Sequence, residues 1–193
     1  MKLTAENTSV RYSLVAMTLH WLIALAILAN VAIAFYFNDL LSHRDAARGG
    51  LVSFHESIGL TVLVLSAARL IWRWINPPPP LPDSLSPASK RVSHITHYSL
   101  YGLMIFVPLL GWGLASASRK GLPVNYFHLL AWPNIAFISG LSPLDKHFYG
   151  ELIGTAHEWL GYAFFFLALG HIGAALYHRF VLRDAILSRM LPA

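Results

Sequence analysis

The chain has 193 residues, of which 56% are hydrophobic and 12% are charged, whereas a soluble domain usually carries about a quarter of charged residues. This composition indicates an integral membrane protein surrounded by a lipid bilayer. The absence of cysteine excludes disulfides, iron–sulfur clusters and a cysteine nucleophile, and the net charge of +5 lies mostly near the ends of apolar stretches, which leaves no soluble basic surface for nucleic acid.

Four stretches are apolar and long enough to cross a bilayer, which takes about 20 residues of helix. They are residues 14–37, 53–75, 95–117 and 152–181. No small-residue cleavage site follows the polar residues 1–13, so we expect the first stretch to be a retained span and not a signal peptide. The sequence thus predicts one all-α domain over residues 1–193, an integral membrane four-helix bundle.

The three loops between these spans differ in character. The first loop, residues 38–52, is short and polar. The second contains four consecutive prolines from Pro77 to Pro80, which cannot continue a helix and favour an extended chain. The third loop, residues 118–151, is the longest and is rich in apolar side chains, so we expect short helical turns at the membrane interface that cover one end of the bundle. These side chains are Phe127, Leu129, Leu130, Trp132 and Phe137.

Lysine and arginine counts predict the orientation, because cytoplasmic loops carry an excess of these residues. Nine lie on the side of the two termini and five on the opposite side, which favours cytoplasmic termini. The nine are Lys2, Arg11, Arg69, Arg73, Lys90, Arg91, Arg179, Arg183 and Arg189, and the five are Arg44, Arg48, Arg119, Lys120 and Lys146.

Four histidines lie within or at the rims of the spans: His20, His55, His157 and His171. An ionisable residue at membrane depth indicates a function, and imidazole is a common axial ligand of haem iron. His157 and His171 are 14 residues apart on the fourth span, which is about 21 Å along a helix and nearly the same face. We therefore predict that His55 pairs with His157 around an outer haem and His20 with His171 around an inner haem.

Glycines accompany three of these histidines. The pattern His-Glu-x-x-Gly occurs at His55 to Gly59 and again at His157 to Gly161, and Gly170 and Gly173 flank His171. Residues four apart share a helix face, so Gly59 and Gly161 would leave room for a porphyrin beside each ligand. Helix–helix packing is the alternative explanation for these small residues.

Other interpretations of the histidines remain open. A zinc protease needs a second histidine four residues after the first, which His-Glu-x-x-Gly lacks, whereas a proton relay or a packing role would suit a single membrane histidine.

Three further histidines lie near the predicted inner haem and are rival ligands, or partners of a haem propionate or a quinone carbonyl: His94, His97 and His178. The arginines at the same level could pair with propionates or serve only as positive-inside anchors; they are Arg11, Arg69, Arg73 and Arg179. The remaining histidines, His43, His128 and His147, belong to outer loops and are expected to be solvated.

Several segments together resemble the bacterial cytochrome b561 family of small four-helix membrane cytochromes. They are Arg11-Tyr12-Ser13 with His20-Trp21, His55 with Gly59, Arg69 to Arg73 before the prolines, His94-Ile95-Thr96-His97, Ala156-His157-Glu158 with Leu160-Gly161-Tyr162, and His171 through His178. The resemblance implies a multi-pass protein of the bacterial inner membrane. It also implies two non-covalent haem b groups held by His20, His55, His157 and His171, and a cytoplasmic quinone site, for which Arg11, His94, His97 and His178 are candidates.

One member type of that family is a superoxide oxidase, which implies electron flow from periplasmic superoxide to ubiquinone. The chain departs from the family in a longer polar N-terminus and a more aromatic outer loop, which leaves the donor open. The alternative is a non-catalytic electron-transfer subunit that docks to a dehydrogenase or a periplasmic redox protein. A third class, a haem-free transporter or scaffold, would lack a haem absorption band.

Overall fold

The computed structural model describes residues 11–42, 44–118 and 121–191. Four long helices, α1 (Leu14–Phe35), α2 (Ala47–Ile75), α3 (Pro87–Ser116) and α5 (Pro143–Tyr177), form the bundle. Between α3 and α5 lie the strands β1 (Val124–Tyr126) and β2 (Leu130–Trp132) and the short helix α4 (Ala136–Ser139). The predicted four-helix membrane bundle is confirmed, since all four helices are long and apolar enough to span a bilayer. The predictions for Lys2, His43, Arg119 and Lys120 concern positions outside the described residues.

We name the two ends of the bundle by their connections. The proline end carries the α2–α3 linker with Pro77–Pro80, the start of α1 and the end of α5. The hairpin end carries the α1–α2 loop and the β1–β2 hairpin. The linker residues from Pro77 to Pro82 adopt no helix or strand, as the prolines predict.

Serine caps determine where three of the helices begin. The side chains of Ser13, Ser86 and Ser142 accept a hydrogen bond from a backbone N–H in the first turn of α1, α3 and α5. Proline follows directly at Pro87 and Pro143, where its fixed φ suits a first helical residue.

Three helices begin earlier than predicted. α2, α3 and α5 start at Ala47, Pro87 and Pro143 instead of positions 53, 95 and 152, because their first turns are polar and hydropathy does not detect them. α1 and α5 each continue into a π-helical turn, Tyr36–Leu40 and His178–Leu182. At 1.5 Å per residue α5 is about 52 Å long, so it extends beyond a hydrocarbon core of about 30 Å.

The helices pack in sequence order, α1 on α2, α2 on α3 and α3 on α5. Their buried apolar side chains meet at mid-depth in a single cluster, which contains Ile23, Val62, Met104, Val107 and Phe164. Phe164 is the one buried side chain of α5 within the described residues. Large apolar side chains on the outer faces, such as Trp74 at 86% and Phe166 at 66% exposure, suit contact with lipid.

The third loop corrects one prediction. Residues 124–132 form an antiparallel hairpin, with Val124 opposite Trp132, and not helical turns. Of the described loop residues before α5, α4 alone is helical. The hairpin is fastened to α2, because Ser57 Oγ accepts from the Phe127 amide at 3.0 Å and Thr61 Oγ1 lies 3.0 Å from the Tyr126 hydroxyl. The loop therefore covers the hairpin end near His55, as expected, by a different structure.

Candidate functional site

The four membrane histidines meet in the two predicted pairs. His55 of α2 faces His157 of α5 near the hairpin end, and their ring centres are 6.1 Å apart with planes at 89°. His20 of α1 faces His171 of α5 near the proline end, with ring centres 6.3 Å apart and planes at 82°. α5 thus contributes one histidine to each pair.

These separations match two imidazoles on one metal ion. A first-row metal lies about 2 Å from an imidazole nitrogen, and that nitrogen lies about 1 Å from its ring centre. Two trans imidazoles would therefore have ring centres about 6 Å apart. No three His, Asp or Glu side chains of the described residues converge into a metal site. Two imidazoles are the number of ligands that a porphyrin, with its own four nitrogens, takes from the protein.

Hydrogen bonds orient both histidines of the pair near the hairpin end. His55 Nδ1 lies 3.3 Å from the Asn30 carbonyl oxygen, and His157 Nδ1 lies 2.9 Å from the Val107 carbonyl oxygen. Because a carbonyl only accepts, each Nδ1 must carry the proton and each Nε2 keeps a free lone pair. This tautomer is the one that a metal-binding imidazole needs.

Gly111 of α3 lies directly against the His157 ring. A Cβ built on Gly111 would lie 3.0 Å from His157 Cε1 and 3.4 Å from Nδ1, closer than ordinary contact. Glycine is therefore required for the ring to reach the Val107 carbonyl. Neither hydropathy nor the histidine pattern indicates this residue, although His97 and Gly111 repeat on α3 the 14-residue spacing of His157 and His171 on α5.

Most of the glycines near the histidines border open space. A Cβ on Gly161, Gly170 or Gly173 would meet no atom within 4 Å among the described residues. At Gly59 the Cβ would lie 3.7 Å from Asn30 Nδ2, so the Asn30 amide borders that space. Asn30 Oδ1 is buried and has no hydrogen-bond partner in the described part of the chain. A buried polar atom of this kind is expected to face a bound group.

A third histidine adjoins the pair near the proline end. The His97 ring centre lies 5.3 Å from that of His171, and His97 Nδ1 donates to the Ser93 carbonyl oxygen at 2.7 Å. His97 therefore also presents a free Nε2 next to His171. The ring-centre distance of 5.3 Å between His97 and His171 is shorter than the 6.3 Å between His20 and His171. The His20 distance is the one that fits two imidazoles on one metal ion better.

The other candidate residues at the proline end have partners outside this pair. His94 is exposed and stacks on Tyr98, with ring centres 6.4 Å apart. His178 Nδ1 lies 2.5 Å from Asp184 Oδ2. Burial alone would raise the pKa of the Asp184 carboxyl, but its hydrogen bonds with the Ile186 amide and the His178 ring hold this pKa below its ordinary value. Arg11 donates to the Leu191 carbonyl oxygen.

Two arginines of α2 lie beside one tyrosine at the proline end. Arg69 donates to the Ala16 carbonyl oxygen at 3.0 Å and to the Tyr101 hydroxyl at 3.2 Å. The guanidinium carbons of Arg69 and Arg73 lie 5.9 and 5.4 Å from the centre of the Tyr101 ring. These three side chains line a small cleft with Tyr12 and Asn76, and none of its lining residues is acidic. The cleft suits a carboxylate or a carbonyl oxygen.

A positive charge lies close to the histidine pair at the hairpin end. The Arg48 guanidinium carbon lies 5.4 Å from the centre of the Phe37 ring, which in turn contacts His55 with ring centres 5.6 Å apart. Arg48 also donates to the Phe37 carbonyl oxygen and, at 3.3 Å, to Asn38 Oδ1. His128 and His147 lie at the surface, where they contact Asn125 and Glu151 respectively.

Known proteins resemble the chain over nearly its whole length. A family model described as prokaryotic cytochrome b561 matches residues 11–193. Cytochrome b561 homolog 2 of Escherichia coli K12 is 30% identical over 96% of this chain and 93% of its own. Cytochrome b561 homolog 1 of the same organism is 28% identical over 94% and 97%. A protein named probable superoxide oxidase CybB, of Yersinia pestis, is 25% identical over 94% and 96%.

These matches agree with the four-helix membrane fold. Proteins of this family bind haem b, carry electrons and span the bacterial inner membrane several times. The chain therefore belongs to the prokaryotic cytochrome b561 family and is an electron-transfer protein of the bacterial inner membrane.

Proposed function

We propose that the chain holds two non-covalent haem b groups, one between His55 and His157 and the other between His20 and His171. The observation that carries this proposal is the separation of 6.1 and 6.3 Å between the paired ring centres. The Nδ1 hydrogen bonds of His55 and His157 and the open space at the partly buried Gly161 support it. When bound, the two haems would carry electrons singly along the bundle.

The protein supplies ligation, orientation and shielding. Each histidine pair would hold one haem by both of its open positions, so the residues around each pair would leave a small oxygen species access only to the edge of the site. The two pairs are separated by about 21 Å along α5. Phe164 lies halfway between His157 and His171, within the buried cluster that keeps water out of this interval.

Six further residues remain our proposed contacts to the haem groups: Arg69, Arg73, Gly59, Gly161, His97 and His178. Arg69 and Arg73 would pair with propionates of the inner haem, because no acidic side chain lines their cleft. The glycines would leave room for the ring planes. His97, next to His171, would be a hydrogen-bond partner and not an axial ligand.

We propose that the proline end faces the cytoplasm and the hairpin end the periplasm. The excess of lysine and arginine at the proline end, nine against five in the sequence, supports this orientation. The pair His55 and His157 would then lie near the periplasm, and the pair His20 and His171 near the cytoplasm.

The reaction that we infer is oxidation of superoxide coupled to reduction of ubiquinone. Two superoxide anions would each lose one electron and become dioxygen, and one quinone would gain two electrons and two protons and become a quinol. Arg48 supports an anionic donor, because its charge lies one aromatic ring away from His55 and forms no ion pair within the described residues. A positive group at this position raises the local concentration of a small anion.

At the proline end, His97 is the best-placed candidate to contact a quinone; because its Nδ1–H is taken by the Ser93 carbonyl, only its protonated form would donate from Nε2 to a quinone carbonyl. It is the only one of our candidates whose ring contacts His171. Arg11, His94 and His178 remain proposed contacts farther from that ring, since each packs on other groups.

Proteoliposomes that contain a quinone test this proposal. Superoxide generated outside should reduce the haem faster than it disproportionates and should produce quinol. Arg48→Gln should lower the rate and its dependence on ionic strength, whereas Arg44→Gln, at an exposed loop position, is the matched control. Haem reduction no faster than the disproportionation control would contradict the superoxide activity and leave the haem sites in place.

A second function, electron transfer with a protein partner, has its own support. Leu129 at the hairpin turn and Phe137 of α4 are 81% and 78% exposed, so neither side chain contributes much to the packing of the loop itself. A periplasmic redox protein could dock there. Recovery of a stoichiometric partner from mildly solubilised membranes, lost in a Leu129→Ser and Phe137→Ser variant, would favour this function.

A further inference from the structure

The C-terminal segment, residues 184–191, is tied to the proline end of the bundle. We call this segment the strap. It begins after Arg183, whose positive φ of 54° reverses the chain at the end of α5, and it contains the short 3-10 helix Leu187–Met190. Asp184 holds its start through His178, with 2.5 Å between Oδ2 and Nδ1.

Arg189 anchors the middle of the strap. It is the one charged residue that is buried among the described residues, with 9% exposure. Arg189 Nη2 donates to the Pro80 carbonyl oxygen at 2.9 Å, and its own carbonyl accepts from the Tyr12 amide at 3.3 Å. The strap thereby joins the proline linker to the residues before α1. Burying a guanidinium costs free energy unless its donors are satisfied. The hydrogen bond to Pro80 therefore helps to hold the Arg189 side chain in this position.

The strap also reaches the residue next to a predicted haem ligand. Trp21 Nε1 donates to the Met190 carbonyl oxygen at 2.8 Å. The Trp21 ring packs edge-on against His20, with ring centres 5.2 Å apart and planes at 68°. Trp21 is therefore held on one side by the strap and contacts His20 on the other.

His20 differs from the ligands at the hairpin end. The rings of His55 and His157 are oriented by backbone carbonyls, whereas the His20 ring forms no hydrogen bond within the described part of the chain. Its orientation must therefore come from its ring neighbours, which are Trp21 and His171. An axial imidazole without a hydrogen-bonded Nδ1 depends on packing for its plane.

We propose that the strap fixes the Trp21 indole and, through it, the plane of the His20 ring, which makes Trp21 and Arg189 positioning residues for the inner haem. This inference rests on the proposed ligation by His20 and His171. It assigns to the C-terminal segment the role that the Asn30 and Val107 carbonyls have at the hairpin end. The identity of the electron donor and of the quinone does not enter it.

Trp21→Phe and Arg189→Met test the proposal in the purified full-length protein. The first keeps an aromatic ring and removes the N–H donor, and the second releases the strap from Pro80. Trp74→Phe is the matched control, because Trp74 is 86% exposed and its indole forms no hydrogen bond among the described residues. The readouts are haem per chain, the electron paramagnetic resonance signal of each ferric haem, which depends on the planes of the axial imidazoles, and the two midpoint potentials.

We expect both variants to retain two haems and to change the resonance signal and potential of the inner haem alone. The double variant should change them no more than the larger single variant does, because both act through one contact. Arg189→Lys, which keeps the charge, should give a smaller change and serves as the milder variant if Arg189→Met accumulates poorly.

Unchanged signals of both haems in Trp21→Phe, or a change at the outer haem instead, would overturn the role of the strap. Failure of the underlying ligation would look different. In that case the unaltered protein would lack a haem that depends on His20.

Discussion

Gly111→Ala offers a sharp test of how His157 is held. The new Cβ would lie 3.0 Å from His157 Cε1 and 3.4 Å from Nδ1, so the ring has to move by several tenths of an ångström away from α3. The hydrogen bond of 2.9 Å between His157 Nδ1 and the Val107 carbonyl oxygen then lengthens. The substitution is small in volume, but the ring that it displaces is a proposed ligand.

The expected free-energy cost of Gly111→Ala follows from three contributions. Overpacking of this kind costs about 1–3 kcal/mol, and loss of the hydrogen bond costs about 1 kcal/mol. Replacing glycine by alanine within a helix returns up to about 1 kcal/mol. A net cost of about 1–3 kcal/mol corresponds to roughly 5- to 150-fold weaker retention of the outer haem.

Haem content per chain and redox titration measure this effect. We expect Gly111→Ala to lose part of the outer haem, or to shift its midpoint potential, while the inner haem is unchanged. Gly102→Ala is the matched control, because it lies on the same helix and its Cβ would meet no atom within 4 Å. Full occupancy of both haems at unchanged potentials in Gly111→Ala would show that Gly111 does not position His157.

Three further predictions concern packing, the hairpin and pH. Phe164→Ala removes the buried aromatic ring between the two pairs and should destabilise the bundle by about 3 kcal/mol in detergent-based unfolding; a change below about 1 kcal/mol would show that the cluster is not a core. Ser57→Ala leaves the Phe127 amide without its acceptor and should increase protease cleavage in residues 124–132 with both haems retained, whereas unchanged cleavage would show that this contact does not hold the hairpin. Because the folded pKa of Asp184 is lowered, its pairing stabilises the strap at neutral pH, and this stabilisation is lost as the pH falls from about 4 through the lowered folded value. Hydrogen exchange of residues 184–191 should therefore be slower in the unaltered protein than in Asp184→Asn near neutral pH, and equal exchange there would contradict the pairing.

The sequence predicted the features that arise from hydropathy and helical periodicity. Four apolar stretches became four helices, and the spacing of His157 and His171 placed both on one side of α5, where His55 and His20 meet them. These predictions succeed because a bilayer imposes length and a helix imposes its period. Whether each pair binds haem stays a prediction.

The errors and omissions have physical reasons as well. Ser86-Pro87 and Ser142-Pro143 start helices in polar segments, where capping and not hydropathy is decisive. The hairpin has strands of only three residues, and its turn places Phe127 and His128 at positive φ, where glycine or asparagine would be expected.

Contacts between distant segments were not predictable from one sequence. Gly111 against His157, and Met190 against Trp21, bring together residues that are far apart in the chain and carry no local pattern. The partly buried Asn30, whose carbonyl orients His55, is likewise a single polar residue in an apolar span. Such partners follow from how the helices pack, which hydropathy does not specify.

Paired ligation by the four histidines is best tested by haem content, with the two haems resolved by redox titration, in the unaltered protein and in four single variants. We expect two haems per chain, one of which is lost in both His55→Ala and His157→Ala and the other in both His20→Ala and His171→Ala. Retention of both haems in any of these variants, or loss of the same haem in His55→Ala and His171→Ala, would contradict the paired ligation on which the electron-transfer proposal depends.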